Sequence, residues 1–307
     1  MSLDTAEREV DYVRRLLSVT NLLTILTLGV CLFPQSASTQ SEYTEQVLFT
    51  IPWGEELGHA DVRWRTPPPA DPYADGIWWA GGQWVVSDND ELIIFDAGEH
   101  ADILKFSGNG SLLAHVQVED IGLRFWTHAF AVNTSGELLL GEDAKLVLLD
   151  TDFSVLWTAE LPDPDFRTTE IYPSDHGSFW IICVHGYFSR DRLVMECLRD
   201  GTISQPILIP EGEGFYITPD GSFHHNPTDY QGYEYSLYCE EEGNVLRKQS
   251  PEGEVVYTHC WSSDPGWTDY ELLHSANLLF VAWSGDFYTI HATAEGAVVT
   301  KYALACE

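Results

Sequence analysis

The stretch of sequence that decides the fold is residues 91–116, which read ELIIFDAGEHADILKFSGNGSLLAHV. Short apolar runs alternate here with turn residues, and this pattern predicts three short strands joined by a loop and a tight turn. Variants of the unit recur about every 42 to 52 residues up to the C-terminus. Such a period is typical of β-propeller blades, because one small sheet buries both of its faces only by stacking between two neighbours.

Five segments of the chain contain the whole pattern of strands and glycine-led turns. The first segment includes the turn Gly108-Asn109-Gly110, whose Asn-Gly pair tolerates the positive φ that a tight hairpin requires. The second segment is the most regular one. We predict one blade from each of residues 84–118, 128–161, 169–208, 215–248 and 270–303.

Residues 41–80 carry three further apolar runs, at 47–51, 62–64 and 77–79. We expect these runs to form a sixth, irregular blade beside the five clearer blades of residues 81–307. The predicted fold is therefore an all-β propeller of six blades, with five and seven blades as alternatives. Because an unpaired sheet edge favours aggregation, the ring has to close, and an N-terminal strand added to the last sheet is the expected closure.

The N-terminal 40 residues have the pattern of an export signal. Arg14 and Arg15 precede an apolar run at 16–33, and Ser36, Ala37 and Ser38 offer small residues for cleavage before Thr39. The same run is long enough to stay in the membrane as an uncleaved anchor, so both alternatives remain open. Either one predicts that the rest of the chain lies outside the cytoplasm, as a secreted, periplasmic or membrane-anchored protein.

The charge balance excludes one class of partner. The chain has 48 Asp and Glu against 15 Lys and Arg, a formal net charge of −33, and this charge repels the phosphate backbone of nucleic acids. Hydrophobic residues make up 44% of the chain and aromatic residues 13%. That content supplies enough apolar surface for packed sheets, so the acidity does not imply disorder.

Two cysteines offer a test of strand register. A hairpin centred on Arg190 would place Cys183 directly opposite Cys197. In an oxidising compartment this arrangement predicts a cross-strand disulfide, and the alternative is that both are small buried hydrophobic residues.

Two repeats carry a family resemblance. The stretches FDAGEHADILKF at 95–106 and FAVNTSGELLLGEDAKLVLLD at 130–150 resemble repeats of six-bladed NHL-type β-propellers. The resemblance implies a protein-binding or ligand-binding platform, or an extracytoplasmic enzyme such as a metal-dependent lyase, hydrolase or lactonase. The sequence contains neither G-x-S-x-G nor H-E-x-x-H, so it gives no nucleophile or zinc-protease motif for an enzyme.

In a propeller, the loops between blades and the loops between second and third strands meet on one face, where ligands usually bind. We therefore predict ligand contacts on that face. Aromatic and arginine side chains suit recognition of a protein, peptide or carbohydrate better than bond-making. The candidate contacts are Trp126, Arg167, Trp261 and Trp267.

Metal binding is the second hypothesis for the same face. His100, His185 and His225 fall on or beside its loops, and three converging imidazoles can bind zinc with an open position. Acidic clusters at 88–91, at Asp163-Pro164-Asp165 and at 211–213 offer oxygen ligands for calcium. The alternatives are surface histidines and solvated turns. The preferred hypothesis is thus an exported binding platform, with a metal-dependent propeller enzyme and a structural envelope module as rivals.

Overall fold

A computed structural model describes residues 43–52, 57–58, 62–63, 78–79, 81–87, 89–96, 102–124, 129–186, 191–209, 216–240, 243–262, 279–292 and 296–304. These parts of the chain contain β-strands and a single 3-10 turn of helix at Val118–Ile121. They contain no helix that is long and apolar enough to cross a membrane. The export segment predicted at 16–33 lies outside the described residues, so it stays a prediction.

The described strands are, in chain order, β1 (Tyr43–Pro52), β2 (Val62–Arg63), β3 (Trp78–Trp79), β4 (Gly81–Val86), β5 (Leu92–Asp96), β6 (Asp102–Phe106), β7 (Leu112–Gln117), β8 (Ala129–Val132), β9 (Leu138–Glu142), β10 (Lys145–Leu149), β11 (Val155–Glu160), β12 (Phe166–Pro173), β13 (Phe179–His185), β14 (Arg192–Cys197), β15 (Ile207–Leu208), β16 (Tyr216–Ile217), β17 (Phe223–His224), β18 (Glu234–Glu240), β19 (Gly243–Gln249), β20 (Val255–Ser262), β21 (Leu279–Val281), β22 (Phe287–Ala292) and β23 (Gly296–Leu304).

The strands form five antiparallel sheets that we call blades 1 to 5. Blade 1 is β4–β7, blade 2 is β8–β11, blade 3 is β12–β15, blade 4 is β18–β20, and blade 5 is β21–β23 with β1. Strands β16 and β17 pair only with each other in the described residues, and we call them the inner hairpin. The predicted β-propeller is confirmed, but the preferred number of six blades is wrong, because the described residues form five, the number given as an alternative.

The N-terminal strand closes the ring. β1 runs antiparallel to β23 from Tyr43 opposite Leu304 to Pro52 opposite Gly296, with a bulge between Val47 and Phe49. The expected closure by an N-terminal strand is therefore confirmed. Of the residues 41–80 predicted to form a sixth blade, β1 belongs to blade 5, and β2 and β3 pair with each other over two residues. The described residues therefore form no separate blade in this segment, and the rest of 53–80, apart from the turn at 57–58, lies outside them.

The predicted blade at 215–248 is split between two structures. Its first two strands are the inner hairpin, and its last two strands are β18 and β19 of blade 4, which continue to β20. The division follows from an additional turn, in which the Gly232 N–H donates to the Asp229 carbonyl at 2.9 Å. An isolated bridge joins Thr228 to Glu234 across that turn. The turn therefore leads into β18, which begins a sheet separate from the inner hairpin.

One turn recurs at the hairpins on the same face of the propeller. The turn has five residues. The N–H of its first residue donates to the carbonyl of its fifth residue, and the N–H of its fourth residue donates to the carbonyl of its first residue. The fourth residue always has positive φ, which is why glycine dominates there. The residues in this position are Asp90, Gly110, Gly136, Phe153, Gly177, Gly201, Gly221, Gly232, Gly253 and Gly285.

The core lies between neighbouring sheets, and blade 2 shows how strand alternation builds it. Leu138 and Leu140 on β9 pack into the cluster shared with blade 1, whereas Leu139 between them packs into the cluster shared with blade 3. All three side chains are completely buried. Each one contributes about 1.5–3 kcal/mol of hydrophobic stabilisation. Equivalent clusters join blades 5 and 1, blades 4 and 5, and blade 3 to the inner hairpin.

The register of blade 3 rules out the predicted disulfide. Cys183 lies opposite Leu193, and Cys197 lies opposite Phe179. The predicted turn centre was wrong, so the two thiols are four residues apart along the hairpin. Both are free and buried, and burial raises the pKa of each thiol to about 12. The alternative of two small buried hydrophobic residues is confirmed.

Candidate functional site

A cavity of about 630 Å³ lies at the centre of the ring. It is walled by the strands β4, β8, β12, β16 and β21, which come first in blades 1, 2, 3 and 5 and in the inner hairpin. The walls include the carboxyl ends of these strands and the turns that follow them, such as Asn133–Thr134 and Ser174–Asp175. The cavity therefore lies toward the face that carries the recurring turns.

Aromatic rings form much of the cavity wall. Tyr172 and Tyr216 meet edge to face with ring centroids 5.1 Å apart, and Trp84 contacts Phe280 at 6.0 Å. Burial raises the pKa of Tyr216 to about 12, so its phenol is neutral at physiological pH. Such pairs give a rigid apolar surface at low cost in conformational entropy.

The described wall contains two carboxylates, Glu170 and Asp175, and Glu170 lies beside the aromatic pair. The Tyr172 hydroxyl donates a hydrogen bond to Glu170 Oε2, and the Arg192 Nη1 lies 3.6 Å from Glu170 Oε1. Burial raises the pKa of Glu170, and the opposing effects of Tyr172 and Arg192 do not cancel that rise. The cavity wall thus combines aromatic rings with a carboxylate whose burial cost is only partly offset by the Tyr172 hydrogen bond and the Arg192 charge.

A second candidate site lies where β11 leads into β12. Asp163, Asp165 and His185 each bring one ligand atom to within 4.8 Å of the others. His185 Nε2 is 3.5 Å from Asp163 Oδ2, and Asp163 Oδ1 accepts the Asp165 N–H at 2.9 Å. The Gly186 N–H donates to the Asp165 carbonyl at 2.9 Å, which ties the two loops together. Imidazole with two carboxylates is a donor set that zinc and manganese accept.

The structure brings together only part of the predicted metal site. His185 joins the acidic pair Asp163 and Asp165, which the sequence suggested separately as calcium ligands. His225 is exposed after β17 and is not in that cluster, while His100 lies outside the described residues. Of the other acidic clusters, Asp90 and Glu91 are each paired with a lysine, at 2.8 Å from Lys301 and Lys105 respectively.

Of the four predicted ligand contacts, Arg167 is the one whose side chain the structure describes. Arg167 lies on β12, where its guanidinium pairs with Asp143 in the β9–β10 turn, and it does not line the cavity. Trp261 lies on β20 with its backbone opposite Asn244, but its side chain is outside the described set. Trp126 and Trp267 lie outside the described residues, so their predicted roles stay predictions.

Sequence reasoning missed the residues that wall the cavity. The missed aromatic residues are Trp84, Phe130, Tyr172, Tyr216, Phe280 and Trp283. A signal was present for Trp84, Phe130, Tyr172 and Tyr216, which lie near the starts of their predicted repeats, because first strands face the axis of a propeller. Phe280 and Trp283 lie on and after β21, the first strand of blade 5, whereas the predicted repeat starts at residue 270. The predicted contacts were assigned to the loops of the opposite face.

No protein-family model matches the chain, and no curated protein matches it. Among solved structures, it is similar to a streptogramin B lyase, with 13% identity, 87% of this chain and 89% of that chain covered, and a TM-score of 0.42. It is also similar to calcium-binding regucalcin from Agrobacterium tumefaciens, with 13% identity, 74% and 92% coverage and a TM-score of 0.46. A gluconolactonase from Xanthomonas campestris gives 13% identity, 86% and 100% coverage and a TM-score of 0.46. These neighbours are β-propeller proteins.

Proposed function

We propose that this chain is an exported β-propeller that binds a small organic ligand in its central cavity. The observation that carries the proposal is the cavity itself, whose volume of about 630 Å³ lies within the range of small-molecule sites. Its walls combine apolar rings with a few polar groups, among them Glu170 and Asn133, which is the usual composition of a ligand pocket. The apolar run at 16–33, preceded by Arg14 and Arg15, is the sequence pattern that supports the proposal of export.

The test uses a variant that blocks the cavity without disturbing the core. Thr134 is an exposed turn residue that lines the cavity, whereas its neighbour Ser135 is exposed and does not line it. We would screen a set of water-soluble aromatic and aliphatic fragments by ligand-observed NMR. Fragments are expected to bind the wild type and Ser135→Trp but not Thr134→Trp. Equal binding to all three proteins, or to none, would contradict the proposal.

A second candidate function is metal-dependent activity centred on Asp163, Asp165 and His185. The observation that favours it is the approach of their three ligand atoms to within 4.8 Å of one another. We expect Zn²⁺ or Mn²⁺ to bind the wild type in calorimetric titrations, and Asp163→Asn and His185→Ala to abolish that binding. His225→Ala is the matched control, because His225 is an exposed histidine directly after β17 and His185 is an exposed histidine at the end of β13. Unchanged titrations in all variants would exclude the site.

A further inference from the structure

The described part of the cavity wall has charge of one sign. Its ionisable carboxylates are Glu170 and Asp175, and no lysine, arginine or histidine is among the described residues that line it. Arg192 approaches Glu170 Oε1 to 3.6 Å without lining the cavity. Since the whole chain carries a net charge of −33, its long-range field also attracts cations toward the cavity and repels anions.

The aromatic rings add a second attraction of the same sign. Faces of Trp, Tyr and Phe carry partial negative charge, and each attracts a cation that lies within about 6 Å of the ring centroid. Trp84 with Phe280 and Tyr172 with Tyr216 supply two groups of such rings around one volume. Glu170 lies on the same strand as Tyr172, two residues before it, and accepts a hydrogen bond from the Tyr172 hydroxyl. A cation in the cavity could therefore contact an aromatic ring and a carboxylate at the same place.

We propose that the cavity selects small organic cations, such as quaternary ammonium compounds or protonated amines with an apolar body. The proposal rests on the proposed function, because it specifies the ligand class of the same cavity. A neutral molecule of the same shape would gain the apolar contacts but lose the interaction with the rings and with Glu170. A carboxylate would be repelled by Glu170 and Asp175.

The raised pKa of Glu170 agrees with this assignment. Its first cause is burial, and the hydrogen bond from Tyr172 and the charge of Arg192 do not outweigh it. The carboxylate therefore has less compensating positive charge than its burial demands. A bound cation would supply that charge.

The experiment compares two molecules that differ only in charge, choline and its carbon isostere 3,3-dimethylbutan-1-ol. Binding is measured by saturation-transfer NMR and calorimetry in about 0.15 M salt, where long-range attraction is screened beyond about 8 Å. Choline is expected to bind about tenfold more tightly than the isostere. Glu170→Gln, which keeps the size of the side chain and an acceptor for Tyr172, is expected to reduce that preference about three- to tenfold.

Thr134→Trp separates cavity binding from general attraction to an acidic protein, because it blocks the cavity and leaves the net charge unchanged. Choline binding that survives in Thr134→Trp overturns the inference. If both molecules bind equally well to the wild type and Thr134→Trp blocks both, the inference on charge fails and the proposed function stands. If neither molecule nor any fragment of the screen binds the wild type, both fail.

Discussion

At the residue scale, the lysines show how a very acidic chain uses its few cations. The chain has four lysines, and three of them occupy the same register in their blades: Lys105 opposite Ile93, Lys248 opposite Tyr235, and Lys301 opposite Tyr288. Each pairs with a carboxylate of a recurring turn. These lysines thus neutralise carboxylates of the recurring turns, because burying a carboxylate without a partner is costly.

Lys248 and Asp229 form the most deeply buried of these pairs, 3.3 Å apart with side chains 3% and 1% exposed. The Tyr235 hydroxyl donates to the same carboxylate oxygen at 2.8 Å. We expect Lys248→Met to lower the free energy of unfolding by about 3–5 kcal/mol, because it leaves a buried carboxylate without its cation. Chemical denaturation measures the loss. The double variant with Asp229→Asn should recover part of it, and a double variant no more stable than Lys248→Met would contradict this account.

Asp90 gives a pH-dependent prediction. It bonds Lys301 at 2.8 Å and accepts the Tyr288 hydroxyl, joining blade 5 to blade 1. Its pKa in the folded state is lowered; burial alone would raise it, but the bonds from Lys301 and Tyr288 outweigh burial. Because the folded state then binds fewer protons than the unfolded state, this stabilisation is present above pH 4 and is lost as pH falls below it.

The variant Asp90→Asn removes the charge and keeps a residue that tolerates the φ of 58°. We expect it to be less stable than the wild type at pH 7, and the difference to shrink as the pH falls from about 5 to about 3. Denaturant titrations across that range measure it. If the stability difference between the two proteins does not change with pH, the charge of Asp90 does not stabilise the contact between blades 5 and 1.

At the element scale, ring closure depends on one close backbone contact. A Cβ added to Gly296 would lie 2.2 Å from the Ile51 carbonyl oxygen, so no side chain fits there while β1 and β23 stay paired. Ile51 is itself 1% exposed and packs in the core between blades 5 and 1. The glycine is therefore required by strand proximity and not by its φ.

We expect Gly296→Ala to lower the free energy of unfolding by at least about 2 kcal/mol, at the upper end of overpacking costs, and to expose β1 to proteases. Gly108→Ala is the matched control, since its Cβ would meet its nearest neighbours at 3.4 Å, an ordinary contact. Denaturation and limited proteolysis with mass spectrometry measure both effects. Equal stability of the two variants would show that β1 adjusts without cost.

At the scale of the whole molecule, the net charge of −33 repels itself in the folded state. We expect the melting temperature to rise as NaCl increases from about 0.01 to 1 M, because screening shortens the Debye length from about 30 to 3 Å. Repeating the series near pH 4.4, the isoelectric point from the sequence, removes most of the repulsion and should reduce the gain. An equal gain at both pH values would point to salt effects on hydrophobic burial instead.

Much of the fold was predictable because its determinants are local. The two apolar runs in LLLGEDAKLVLL at 138–149 predict the strands that the structure shows as β9 and β10, and glycine at positions such as Gly136 and Gly177 marks turns that require positive φ. The missed division at the inner hairpin also had a local signal. Asp229 and Gly232 stand at the first and fourth positions of the recurring turn, and recognising them would have started a new blade at β18.

The sequence by itself determined that short strands, joined by repeated turns, stack into a propeller, since hydrophobic period and turn chemistry act over a few neighbouring residues. Only the tertiary structure decided the number of blades, the partner of β1, and the cavity that gathers rings from separate blades. It also decided that His185 meets Asp163 and not His225. The physical reason is that residues distant in sequence come together through the angle and register at which whole sheets pack, which no local pattern encodes.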